Sequence, residues 1–278
     1  MSLNSVNTNN GAMIALQSLN QTSSALTAVQ KQISTGYRVA DATDDGAAYA
    51  VAQRVRSDVG ALTSANQQLG NVKGLISTTI SGLNSVSNTM ISMRDLLVKL
   101  ADGNTTADSR TQDITSYKQM LYSVKTAIQD ANYSGKTLIG NIGGTAGFAS
   151  VAVVRNELGA TYGIATFGGS AFFGSISFTS TQMGGAGTVA GLIASGGVFS
   201  KMFNKIGTEL NTYGAASTYV DMQQSYNNNK IDALNSGLGS LIDADLAKES
   251  AQLQALQKSA SNSAPRRSPS STRHRRPF

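Results

Sequence analysis

The sequence predicts a mainly α fold: long antiparallel coiled-coil-like helices from both chain ends, with a small Gly-rich, β-containing domain inserted between them. Three observations predict it. All three prolines of the 278-residue chain (Pro265, Pro269 and Pro277) lie near its end, so long helices can run unbroken before them. Val55, Leu62, Leu69, Ile76, Leu83, Met90 and Leu97 hold seven consecutive positions of one heptad series, the pattern of a coiled-coil seam. Residues 140–200 hold 15 of the 28 glycines and six of the eight phenylalanines, with Arg155 and Glu157 the only charges.

The first helix is expected from Ala12 to Ile33, on an apolar stripe at Leu19, Leu26, Val29 and Ile33. Gly36 suits the left-handed position after its last turn. Asp41 to Gly46 is a polar break whose acids favour the positive end of the next helix. That next helix carries the seven-position seam, with Val72, Thr79, Val86, Met93 and Leu100 beside it. Ala101 to Thr106 is a turn, and Ile114, Tyr117, Leu121, Val124 and Ile128 mark a shorter helix ended by Asn132–Gly140. In the glycine-rich stretch, Ala149–Val154 and Ala171–Phe178 are expected as short strands. Helical spacing returns at Met202, Phe203, Ile206 and Leu210, then at Leu234, Leu238, Leu241, Leu246, Leu253 and Leu256. The stripes at the two chain ends are natural partners, within one molecule or between several.

Composition removes most chemistry. Cysteine is absent, which excludes disulfides and thiolate ligands. The single histidine, His274, lies in the tail, so His-based metal sites and a Ser-His-Asp triad are not expected. Asp44-Asp45 and Asp243/Asp245 read as helix-start and turn chemistry rather than paired catalytic carboxylates. Gly184-Gly185 with Gly187 lacks the Lys-Ser/Thr of a phosphate loop and reads as a turn. Met90 and Met93 read as seam packing. No catalytic, cofactor or metal residue is expected, and the chain reads as a non-enzyme. No membrane span and no cleaved secretory signal are expected either. The net charge of +6 belongs to residues 258–278, which hold six cations and no acid, while residues 1–257 balance.

Several segments resemble bacterial flagellins. Asn4-Ser5-Val6-Asn7-Thr8-Asn9, with Ala15-Leu16 and Leu19-Asn20, is similar to the family's opening. Ile33-Ser34-Thr35-Gly36-Tyr37-Arg38-Val39 resembles its "LSTG-basic-I" segment, and Ala42-Thr43-Asp44-Asp45-Gly46-Ala47-Ala48 its "A-x-D-D-A-A" helix start. Near the other end, Asn235 to Glu249 is similar to "R-S-x-I-x-D-x-D-x-A-x-E". The matches cover residues 1–135 and 200–257, and the unmatched middle is where flagellins vary. The resemblance implies a secreted, extracellular structural subunit that self-assembles into the helical filament of the flagellum. It implies a homopolymer whose other partners are the flagellar export apparatus, an export chaperone, the filament cap and hook-junction proteins. Neither specific nucleic-acid binding nor membrane insertion is implied.

On that resemblance the chain divides into an inner-core helix (1–40), the helical core domain (41–139 and 199–233), a variable outer domain (140–198), a C-terminal inner-core helix (234–257) and a basic, disordered tail (258–278). The self-assembly seam is then Leu19, Leu26, Val29 and Ile33 with Leu234, Leu238, Leu241, Leu246, Leu253 and Leu256. The family segment bound by the animal flagellin receptor, Q-R-x-R-E-L-x-V-Q, resembles Ile91–Lys99, which makes Ser92, Arg94 and Leu96 a candidate receptor surface. Ser92 stands where the family has its first arginine.

The tail departs from the family, whose members end in an apolar helix. Read in the shifted frame, codons for Lys258 onward can spell that missing helix, so a frameshift just before Lys258 is expected. Three other readings stay open at this stage: a hook–filament junction protein, a surface adhesin or glycan-binding homologue using residues 140–200, and a nucleic-acid binder using the arginines of the tail.

Overall fold

In the computed structural model, which describes residues 9–140, 142 and 147–263, the long proline-free seam becomes one helix of 55 residues. The elements are α1 (Asn10–Thr35), α2 (Gly46–Leu100), α3 (Ala107–Asp130), β1 (Lys136–Thr137), β2 (Gly147–Phe148), β3 (Val151–Val154), β4 (Thr161–Ile164), α4 (Gly169–Ile176), α5 (Ser180–Gly184), α6 (Ala186–Ile193), α7 (Val198–Ile242) and α8 (Leu246–Ser263). The fold is mainly α with a small β region, as expected. Two compact units divide the chain: residues up to 57 with those from 233, and residues 58–232.

The second unit is organised by heptads. Leu62, Leu69, Ile76, Leu83, Met90 and Leu97 of α2 are buried, as are Val72, Thr79, Val86, Met93 and Leu100 beside them. Helix α3 answers with Tyr117 and Val124, and Ala131 just past its end continues the spacing. Helix α7 answers with Phe199, Ile206, Tyr213, Val220 and Asn227, five buried positions seven apart. Only Ile206 of these belonged to the sequence-predicted stripe, and Tyr213 and Asn227 interrupt the apolar pattern of the series. The Tyr117 hydroxyl donates to Ile176 O (2.8 Å) and that of Tyr213 to Ala165 O (3.1 Å), so both rings fill the core with their polar ends satisfied. Burial pushes both phenols above their ordinary range.

The glycine-rich stretch differs from expectation in two ways. Residues 151–199 place Val153, Ile164, Phe167, Phe172, Ile176 and Phe199 in the same core as α2 and α3, instead of enclosing a core of their own. Ala171–Phe178, expected as a strand, is largely helix α4. Its buried positions Gly169, Phe172 and Ile176 follow helical spacing, and Gly169 approaches so closely that a Cβ would lie 2.6 Å from Ile139 Cγ2. Strand β3 lies within the expected Ala149–Val154 segment and pairs antiparallel with β4, Val151 facing Ile164 and Val154 facing Thr161. The hairpin turn rests on α7 through Asn227, whose Nδ2 donates to Arg155 O (3.0 Å), and through Lys230, which pairs with Glu157 at 2.5 Å.

Helices α6 and α7 together contain a window with a mean hydropathy of 1.2, apolar and long enough to cross a membrane by composition. By length and composition alone, this corrects the expectation that no apolar stretch approaches the length of a span. The helices are interrupted at Ala194–Gly197, where a Cβ on Gly197 would collide with the carbonyl oxygens of Gly191 and Leu192. Val189, Phe199 and Ile206 from this stretch are buried in the protein core.

The first unit also departs from expectation. A single helix over 234–257 is replaced by the end of α7 at Ile242, a break at Asp243–Asp245, and α8. The tail, expected to be unstructured from Lys258, continues α8 to Ser263, since Lys258–Ser263 contains neither proline nor glycine. The rest of the tail, with His274 and the arginines, lies outside the described residues.

Candidate self-assembly interface

Helices α1 and α8 pack together, and the segments at Gly36 and Asp243 set their meeting point. Thr35 ends α1, and Gly36 takes the left-handed conformation (φ 74°) with its N–H on Gln32 O, as the sequence predicted. The chain then crosses the end of α7. Arg38 N donates to Ile242 O at 2.7 Å, Val39 N to the same oxygen at 3.3 Å, and the Arg38 guanidinium to Leu241 O at 2.5 Å. Tyr37 bridges Asp243, and Ala244 N donates to Gly36 O at 3.0 Å. Beneath this crossing Val39, Ala48, Ala52 and Ile242 form a small buried cluster, with Tyr49, Leu238 and Leu241 packed against it.

The carboxylates of this region serve the backbone. Asp45 Oδ1 accepts from Ala47 N and Ala48 N, and Asp245 Oδ1 from Ala247 N and Lys248 N, each opening a helix. Asp44 accepts from Ala40 N and Asp41 N, and Lys31 donates to both Asp41 (2.7 Å) and Asp44 (2.9 Å). Hydrogen bonds from Lys31 hold both carboxyls below their ordinary range, while the Lys31 ammonium is pushed up. Gly184 ends α5, Gly185 alone separates it from α6, and Gly187, expected in the same turn, lies within α6; Met90 and Met93 are seam residues.

The expected seam is brought together in part. Val29 is buried, and Leu26, Ile33, Leu253 and Leu256 are half-buried on the paired helices. Leu238 and Leu241 belong instead to the cluster under the crossing, and Leu234 is half-buried on α7. Leu246 does not join the seam: it sits in the first turn of α8 and is half exposed. Toward its start α1 opens. Met13, Ile14 and Leu16 are 67%, 68% and 60% exposed, and Leu19 is 37% exposed. Sequence reading missed this cluster because three apolar residues within four positions fit no single heptad series.

In the second unit all of the core seam is buried apart from its first position, since Val55 belongs to the first unit and is half-buried. Of the candidate receptor residues, Ser92 and Arg94 are exposed. Leu96 is not: it packs into the hydrophobic core, and Ile91 and Val98 are the exposed apolar residues of that stretch.

One unit holds paired terminal helices with exposed apolar residues and the other a heptad-built core, which together define a mainly helical class of protein. A family model described as the bacterial flagellin N-terminal helical region matches residues 6–143. The chain is 29% identical to flagellin FljM of Caulobacter vibrioides over 259 residues, covering 92% of this chain and 91% of that protein. It is also 29% identical to a flagellin of Brucella melitensis over 269 residues, covering 91% and 90%. The flagellin of Bacillus cereus shares the fold with a TM-score of 0.50, at 18% identity over 58% of this chain and 88% of that one. The chain belongs to the bacterial flagellin family and is a structural subunit of the flagellar filament.

Proposed function

We propose that this chain passes through the flagellar export apparatus with an export chaperone, then polymerises beneath the filament cap, beyond the hook-junction proteins, into an extracellular tube for motility. The observation that carries this reading is the exposed cluster of Met13, Ile14 and Leu16 on α1. Adjacent apolar residues at the end of a paired helix favour contact with a further copy, and a contact that repeats without closing builds a helical filament. The polar groups of the crossing support a structural rather than a catalytic role, since they are spent on helix ends. Neither a nucleic acid nor a membrane is needed as a partner.

Electron microscopy of the purified chain tests this. Long filaments are expected. Short collars would point to a junction protein, and particles that never associate would overturn the reading.

A further inference from the structure

Asp245 opens α8 locally, but its carboxylate offers no donor to the last carbonyls of helix α7. Asp243, Ala244 and Asp245 include neither proline nor glycine, and helix resumes at Leu246. The last carbonyls of a helix need outside donors, and here they come from about two hundred residues earlier in the chain. Ile242 O takes the N–H groups of Arg38 and Val39, and Leu241 O takes the Arg38 guanidinium. The first backbone donor after the break, Ala244 N, is taken by Gly36 O.

We infer that residues 36–39 are the C-cap of α7, and that this exchanged cap makes the order of α8 conditional on the order of α1, with Arg38 as the positioning residue. A cationic side chain at a helix C-terminus is favoured by the helix dipole as well as by the hydrogen bond. Segment 36–45 is tied to α1 at both ends: Gly36 N–H lies on Gln32 O, Gln32 Nε2 on Arg38 O and Tyr37 N–H on Thr35 Oγ1, and further along Lys31 holds Asp41 and Asp44. Loosening α1 therefore withdraws the donors at Leu241 and Ile242, the α7 end loses its cap, and α8 loses the break from which it starts. Coupling of this kind is reciprocal: whatever loosens α8 loosens the end of α1 by the same factor.

Amide hydrogen exchange on the full chain tests the inference, read in whichever state, free or assembled, protects residues 246–256. Arg38→Met should speed exchange across 243–256 by about tenfold or more, and across 28–36 by a similar factor, with residues 69–97 unchanged. Lys31→Met removes hydrogen bonds to Asp41 and Asp44 and none to α7 or α8, yet it should speed exchange across 243–256 as well. Unchanged exchange at 243–256 in Lys31→Met, while 28–36 loosens, would overturn the inference. So would a chain in which 246–256 is unprotected in both states.

Discussion

Arg110 shows how much one side chain can organise. Its guanidinium donates to Leu100 O (2.7 Å), Asp102 O (3.1 Å) and Met183 O (3.2 Å), capping α2, holding the following turn and anchoring α5. Arg110→Met leaves those carbonyls without their charged donor, so thermal unfolding should show a loss of about 2–3 kcal/mol. Glu157 sets a pH limit. A hydrogen bond from Lys230 holds its carboxyl below the ordinary value of 4.5, and the same bond raises Lys230 above 10.5. A depressed carboxyl contributes stability above its unfolded value and loses it as pH falls through the native one. Thermal melts of the whole chain should therefore decline below about pH 4.5, and Glu157→Gln should flatten that decline. By the resemblance, Ser92 stands where flagellins carry the first arginine of the receptor segment, and the position is exposed. A reporter-cell assay should show weak activation, with a partial gain in Ser92→Arg. Equal signalling from the unaltered chain and a flagellin with the full motif would refute this.

At the scale of elements, the α2–α7 pairing depends on a polar layer in an apolar seam. Asn227 is fully buried; its Nδ2 donates to Asn66 Oδ1 (2.9 Å) and Arg155 O (3.0 Å), and its Oδ1 accepts from Gln223 (2.9 Å). One side chain thus aligns two helices and the β3–β4 turn. A buried asparagine at a seam position specifies register at some cost in stability. Asn227→Ala should destabilise the second unit by about 2–4 kcal/mol, because it strands several polar partners. The double variant Asn66→Leu/Asn227→Leu should regain part of that, and disulfide mapping across cysteines placed on α2 and α7 should then find more than one register. A single register in the double variant would show that the apolar seam suffices.

For the whole molecule, the decisive surface is the open end of α1. Glutamate at Met13, Ile14 and Leu16 should abolish sedimentable filaments while leaving the melting of the second unit unchanged. Loss of that melting transition would instead assign these residues to folding. The tail carries a separate expectation. If the codons after Gln257 are read in the alternative frame, the chain should gain an apolar terminal helix, and polymerisation measured by sedimentation should increase.

Much of this was legible in the residues alone. The α2 seam, the left-handed Gly36, the turn before α3 and the helix-opening roles of Asp45 and Asp245 follow from spacing and local backbone chemistry, which act within a few residues. The family followed from short segments at both chain ends. Tertiary structure decided the rest. Ala171–Phe178 has enough apolar residues for a strand, yet it is helical because its Phe172 and Ile176 face one shared core. Asn227 looks like any polar helix residue until Asn66 and Arg155 O meet it. At the α7–α8 break Asp245 is a local signal, but the donors that cap Leu241 and Ile242 are invisible locally, since they stand at the opposite end of the sequence. Periodicity records which face of an element is apolar; it does not record which distant backbone group arrives to satisfy a carbonyl.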